Sequence, residues 1–259
     1  MKIIQLADIH FGTEDPAALQ MAEEYITAAA PDALIICGDL TQRGKRNEFV
    51  AARQWLDGFE LPKLVVAGNH DTPMLNLVAR ATTPFERYKE LFGEFSNNLA
   101  VGHLHFSGMN TSRGWQARKN WAEGSVDLSK LPGADESSDK LQVLVTHHPL
   151  LSPAKSPLVT RTRRGREAAR QLAVSSCALH LCGHVHSPTV ERHSFDGGSY
   201  VAVTAGTLST RVRNLPPGFN VLDFDKDEVN ITGVTLMADR KTTEQDLGTW
   251  SLTNDQSPA

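Results

Sequence analysis

The feature that most constrains this chain is a recurrence. Five short apolar runs each end in a cluster drawn from Asp, Asn, His and Gly. Lys2 to Ala7 leads into Asp8-Ile9-His10, Ala33 to Cys37 into Gly38-Asp39, and Lys63 to Ala67 into Gly68-Asn69-His70-Asp71. Leu141 to Thr146 leads into His147-His148-Pro149, and Ala178 to Cys182 into Gly183-His184-Val185-His186. Short apolar runs bounded by turn residues read as buried strands. Ligand sites in open α/β sheets lie at the carboxyl ends of strands, so five loaded strand ends can converge on one place.

Helical signals lie between these runs. Asp15-Pro16 reads as an N-cap followed by proline at the first helical position, opening a helix that stops at Pro31. Lys45 to Phe59 carries Phe49, Ala52, Leu56 and Phe59 on one stripe. Thr83-Pro84-Phe85-Glu86 has capping-box spacing and opens a helix ending near Gly93, and another helix runs from about Gly165 to Val174. Alternation of this kind predicts βαβ units with parallel strands. His103 to Met109 alternates like a strand, and Pro132 to Lys140 reads as a surface loop. From Thr189 onward the signal is all strand, with a hairpin turn at Asp196-Gly197-Gly198. Residues from about Thr242 read as a loose tail. The expected organisation is one α/β domain over residues 1–240 with a tail at 241–259, built as two stacked sheets with helices outside.

Composition removes other classes. Of 259 residues, 40% are hydrophobic and 22% charged, which excludes a disordered chain. No apolar run reaches the ~18 residues of a membrane span. The opening MKIIQLADIH is too short and polar for a signal-peptide core, so secretion is unsupported. A net charge of −4 disfavours bulk nucleic-acid binding. Cys37, Cys177 and Cys182 form no disulfide framework, which fits a reducing cytoplasm, and they read as small buried residues.

Asp8, His10, Asp39, Asn69, His147, His184 and His186 offer oxygen and imidazole donors that suit Mn, Fe, Zn or Co. Seven donors exceed what one ion needs, since an open catalytic site takes about four. A dinuclear centre with a shared carboxylate explains the excess. Two ions ~3.5–4 Å apart can hold a hydroxide between them and clamp a phosphoryl oxygen. The neighbouring glycines let the backbone turn sharply and approach the metals.

The ordered series DIH, GD, GNHD, HHP and GHVH, spanning Asp8 to His186, resembles the calcineurin-like metallophosphoesterase superfamily. The short form and GNHD are most similar to its class III cyclic-nucleotide and glycerophosphodiester phosphodiesterases. The resemblance implies a four-layer α/β/β/α sandwich of two mixed sheets flanked by helices. It implies that Asp8, His10 and His186 hold one ion and Asn69, His147 and His184 a second, with Asp39 shared. His147 is the member of its pair that stands two before the proline. His70 is implied to act on the leaving oxygen without binding metal, and Asp71 to orient His70. The implied enzyme is a metal-dependent phosphoesterase hydrolysing small phosphodiesters by in-line attack of a metal-bridging hydroxide. A phosphomonoesterase, a nucleotide-lipid pyrophosphatase or a metal-free protein-binding scaffold are the alternatives. A symmetric dimer is compatible with the sequence, which offers no support for it.

Other polar residues have plainer readings. His148 is expected to face away from the site, His103 and His105 to be structural or superficial, His180 to be core and His193 surface. The run Arg161-Thr-Arg-Arg-Gly-Arg166 is a solvated loop or a positive lip that steers anions, and Asn110 to Arg113 is a further candidate for the pocket wall.

Overall fold

A computed structural model describes residues 1–94, 97–115, 120–132, 140–213 and 215–252. In chain order its elements begin with β1 (Lys2–Leu6), α1 (Pro16–Ala29), β2 (Ala33–Ile36), α2 (Arg46–Asp57) and β3 (Lys63–Val65). Then come α3 (Leu77–Thr82), α4 (Glu86–Phe92), β4 (Asn98–Val101), β5 (Leu104–Gly108), β6 (Gly124–Ser125), β7 (Leu141–Val145) and β8 (Thr162–Arg163). The chain continues through α5 (Gly165–Ala173), β9 (Cys177–Cys182), β10 (Thr189–Phe195), β11 (Gly198–Thr204), β12 (Gly218–Asp225), β13 (Glu228–Leu236) and β14 (Thr242–Ser251).

The first sheet has the order β14-β13-β12-β1-β2-β3 and the second β10-β11-β9-β7-β5-β4. Both are mixed. β1, β2 and β3 run parallel, while β12, β13 and β14 are antiparallel. In the second sheet β5, β7, β9 and β11 are parallel, with antiparallel edges.

Three apolar layers hold the stack. Side chains of Ile4, Leu6, Leu34 and Ile36 point outward and meet the α1 and α2 stripes through Ala22, Ile26, Phe49 and Leu56. The alternate residues Ile3, Ile35, Leu64 and Leu222 face Val143, Val145, Leu179, Leu181 and Val201 of the other sheet. Leu144, Cys177 and Tyr200 pack on Ala168, Ala169 and Leu172 of α5. The fold is thus helix, sheet, sheet, helix, as the motif series implied. Burial contributes roughly 1.5–3 kcal/mol for each large apolar side chain. Asp15 caps α1 as its sequence predicts, with Oδ1 accepting from Ala17 N at 3.0 Å and Ala18 N at 3.2 Å.

One polar interlock crosses the apolar layer between the sheets. Gln5 Nε2 on β1 donates to Cys182 O at 2.9 Å and Val203 O at 3.2 Å. Asn220 Nδ2 on β12 donates to Gln5 Oε1 at 3.0 Å and Thr204 O at 2.9 Å.

The expected loose tail is a correction. Thr242–Ser251 pairs along β13 as an edge strand, and Trp250, Leu247 and Leu252 pack on the inter-sheet core. Most of its side chains stay exposed, so it lacks the alternation that marks a half-buried strand. Residues 253–259, and positions 133–139 of the expected surface loop, lie outside the described residues. Among the described residues no helix is long and apolar enough to cross a membrane.

Candidate metal centre

The five motif clusters meet at one end of the sandwich. Asp8 and His10 follow β1, Asp39 follows β2, and Asn69, His70 and Asp71 follow β3, all in the first sheet. His147 and His148 follow β7, and His184 and His186 follow β9, in the second. The loops are stitched by backbone bonds, Asp8 N to Gly38 O at 3.0 Å, His10 N to Asp39 O at 3.0 Å and Gly183 N to His147 O at 2.9 Å.

Turning the ligand side chains inward demands unusual backbone. Asp8, His10, Asp39, His184 and His186 all have φ between 52° and 70°, the left-handed region. Such a residue without glycine's freedom costs of order 1–3 kcal/mol. The surrounding loops hold it there. Gly38 has φ +82°, and a Cβ on it would lie 2.8 Å from His147 Nδ1. A Cβ on Gly68 would overlap Asp39 Oδ1.

Asp8, His10 and His186 form one set of buried donors, and Asp8, Asp39 and His147 an adjoining one. His10 Nδ1 faces Thr41 O at 3.3 Å, and His186 Nδ1 faces Arg211 O at 2.6 Å. A carbonyl only accepts, so each Nδ1 carries the ring proton and each Nε2 carries a lone pair. Those two Nε2 atoms lie 3.2 Å apart. Asp8 Oδ1 stands 3.2 Å from His186 Nε2, is buried and has no donor. Three acceptors pointing at one another fit a cation.

The other half brings together the same kinds of group. His147 Nδ1 donates to Cys37 O at 2.8 Å, leaving Nε2 to face Asn69 Oδ1 at 3.1 Å and His184 Nδ1 at 3.3 Å. Asp39 lies between the halves, with Oδ2 3.7 Å from His10 Nε2 and 3.4 Å from His147 Nε2. Its Oδ1 accepts from His70 N at 2.8 Å.

The electrostatics agree. Burial pushes His10 down to about 3 and His184 well below the ordinary imidazole value, so both rings are neutral ligands in wait. Burial opposes charge on Asp39, yet His147 and His70 hold its carboxyl well below the usual range. Burial opposes charge on His147 too, but Asp39 and Asp8 raise it to about 9. The cluster calls for positive charge.

All seven expected donors converge here. Asp71 does not take its expected part. Its carboxylate accepts from Leu40 N at 3.2 Å, Thr41 N at 2.9 Å, Thr41 Oγ1 at 2.9 Å and Gly68 N at 2.8 Å. It ties the β2 and β3 loops together. The His70 ring is oriented instead by Gln42, whose backbone O accepts from Nδ1 at 2.7 Å. Burial, with Asp39 nearby, pushes Asp71 up to about 7.

His148 does not face away. Its ring centroid lies 4.5 Å from that of His184, while Nδ1 bonds Thr111 Oγ1 at 2.9 Å and Nε2 bonds Ala122 O at 3.1 Å. Both ring nitrogens are committed, so it buttresses the site. His180 is core, bonded to Thr146 Oγ1 at 2.8 Å.

A cleft of about 350 Å³ opens over the cluster. Arg161 is the one member of the expected lip that lines it; Arg163, Arg164 and Arg166 are exposed elsewhere. Asn110, Ser112 and Arg113 line a different cleft. Sequence reasoning missed Arg211 and Arg213, which join Arg161 in the wall. Arg211 Nη1 donates to His70 Nε2 at 3.0 Å and Gln42 Oε1 at 3.1 Å.

Residues 1–188 match the family model for calcineurin-like phosphoesterases. The chain belongs to the calcineurin-like phosphoesterase family. As a calcineurin-like phosphoesterase it is a hydrolase by class, and its relatives are of the kinds the motifs resembled. A probable cyclic nucleotide phosphodiesterase of Synechococcus sp. is 24% identical over 251 residues, covering 88% of this chain and 89% of the relative. A glycerophosphodiester phosphodiesterase of Enterobacter lignolyticus is 24% identical over 72% of this chain, which spans 64% of that enzyme's length. The purple acid phosphatase of yellow lupin seeds shares the fold, with a TM-score of 0.66 at 13% identity, over 97% of this chain and 53% of the lupin chain.

Proposed function

We propose that this calcineurin-like phosphoesterase hydrolyses small phosphodiesters, cyclic nucleotides or similar esters, at a dinuclear centre. Asp8, His10 and His186 would hold one ion and Asn69, His147 and His184 the other, with Asp39 serving both. Mn, Fe, Zn and Co all suit these donors. One observation carries the reading: on each side of Asp39, buried imidazole nitrogens and side-chain oxygens converge to within 3.1–3.7 Å of one another. Bound ions supply Lewis acidity, lowering the pKa of water toward neutrality and neutralising phosphoryl oxygens.

The chain's own residues do the rest. Gln42 O fixes the His70 tautomer by accepting from Nδ1, so Nε2 is the atom offered to the cleft. Arg211 holds that atom in the free protein. An incoming phosphoryl oxygen competes for the Arg211 guanidinium. The released His70 Nε2 can then take a proton from solvent water and pass it to the leaving oxygen. Arg211 meanwhile supplies forked donors to the developing charge.

The two phosphodiesterase relatives support diesters as the substrate class. We also read the chain as one domain, since a single inter-sheet core runs from Ile3 to Leu252. Three buried free thiols support a reducing, cytoplasmic setting. The test is to strip the metals, reload with Mn or Zn, and assay an aryl phosphodiester against its monoester. Activity that returns with metal and favours the diester is expected; hydrolysis indifferent to a chelator overturns the proposal.

A further inference from the structure

The cleft wall holds more positive charge than hydrolysis at one phosphorus requires. Arg161, Arg211 and Arg213 all line it. Outside the ligand cluster, Glu123 is the other carboxylate among the described lining residues. None of the three arginines has an ion pair with a carboxylate among the described residues. Among the described residues the Arg211 guanidinium meets Gln42 Oε1 and the His70 ring, and no carboxylate. Arg213 Nε is buried and has no acceptor at all. A buried donor without a partner is a feature native structures avoid unless something else satisfies it.

The segment that carries two of these arginines is held firmly. Thr210 N donates to Thr13 O at 3.0 Å, and Thr210 Oγ1 to the same oxygen at 3.0 Å. Arg211 N donates to Ser209 Oγ at 3.2 Å, and Ser209 Oγ pairs with Thr207 Oγ1 at 2.7 Å. Arg211 O accepts from His186, so this segment is joined to the metal centre itself. Arg161 approaches from the segment before β8, anchored where Gly124 N donates to its O at 3.1 Å. Two separate segments therefore bring guanidiniums to one cleft. Guanidinium forks match phosphoryl oxygens geometrically and are weakly hydrated, which suits them to partly closed anion sites. Three forks offer more donors and more charge than the two oxygens of a carboxylate can use.

We propose that Arg161, Arg211 and Arg213 form a subsite for a second phosphoryl group of the substrate, beside the one that is hydrolysed. Arg211 spans the boundary between the two, since it also reaches His70. Arg161 and Arg213 recognise the second group. This deepens the phosphodiesterase reading and rests on it. The substrate class becomes an ester or anhydride of phosphoric acid that carries another terminal phosphate.

The experiment compares an aryl phosphodiester of single charge with its analogue whose alcohol bears a terminal phosphate. Both are assayed on the metal-loaded full-length protein and on Arg161→Gln, Arg213→Gln and the double variant. Binding of inorganic pyrophosphate to the same proteins is measured by calorimetry. The wild type is expected to favour the phosphate-bearing analogue through KM. In the double variant that preference and the pyrophosphate affinity should each fall by about tenfold or more, since two charge-assisted forks are lost. Arg161 is exposed, so Arg161→Gln keeps the test readable should Arg213→Gln fail to fold. Variants that keep both the wild-type preference and the wild-type affinity overturn the subsite. A wild type that hydrolyses neither ester refutes the phosphodiesterase reading instead, and the calorimetry then decides the subsite alone.

Discussion

His10 Nε2 and His186 Nε2 lie 3.2 Å apart, and each ring donates its Nδ1–H to a backbone carbonyl. Two lone pairs at this separation repel. Asp8 Oδ1, 3.2 Å from the second ring and without a donor, adds to the repulsion. The folded chain tolerates the arrangement because carbonyls of Thr41 and Arg211 fix the rings from behind. A divalent ion reverses the sign of every one of these contacts.

Metal loading should therefore raise thermal stability markedly. A ligand that binds only the native state at a thousandfold excess over its Kd stabilises by about 4 kcal/mol. For a chain of this size that corresponds to roughly 2–4 °C in Tm for each kcal/mol. Differential scanning calorimetry before and after chelation, then after reloading, measures it. A Tm that ignores chelation contradicts the ligand assignment.

Asn69→Ala and His70→Ala should separate binding from turnover. Asn69 Oδ1 faces His147 Nε2 at 3.1 Å, so its loss should lower the ions bound per chain, read by elemental analysis. The His70 ring has its nitrogens on Gln42 and Arg211, outside the ligand set. His70→Ala should keep both ions while kcat falls by roughly 10²–10⁴. Loss of metal from His70→Ala would show that this division of roles is wrong.

Asp71→Asn tests the corrected role of that carboxylate. Its two oxygens accept from Leu40, Thr41 and Gly68. An amide sets a donor against some of these donors, leaving a buried group unsatisfied at a cost of about 1–3 kcal/mol. Denaturant unfolding should show that loss, with less metal retained. Unchanged stability with only kcat reduced would restore the idea that Asp71 acts through His70.

Acid should destabilise the fold through His180. Burial pushes this ring down to about 3, against an unfolded value of 6.5. Between those values the unfolded chain takes a proton that the native ring refuses. Stability therefore falls as pH drops from 6.5 toward 3. Urea midpoints across this range should decline in the wild type and decline less in His180→Asn.

The motif clusters were legible because each one is local: an apolar strand, then donors, within a few residues. Asp15 and the stripe of Phe49, Ala52 and Leu56 were legible for the same reason. What stayed hidden depends on the chain meeting itself. Nothing near Arg211 or Arg213 announces that its segment returns to His70 and Gln42, which lie far back in sequence. Asp71 stands next to His70, yet its acceptors point to loops, a choice made by tertiary geometry. β14 escaped notice because an edge strand with mostly exposed side chains needs no hydrophobic period. Short α3, with Leu77 and Val78 exposed, offered no stripe either.

The Gln5–Asn220 interlock has a bearing on the chemistry above it. Grease alone lets two flat surfaces slide, since one apolar neighbour is much like the next. Directional bonds from Gln5 to Cys182 and Val203, with Asn220 bracing both sides, forbid that shear. Asp8 follows a strand of one slab and His186 a strand of the other, so this dowel sets the spacing on which their meeting depends.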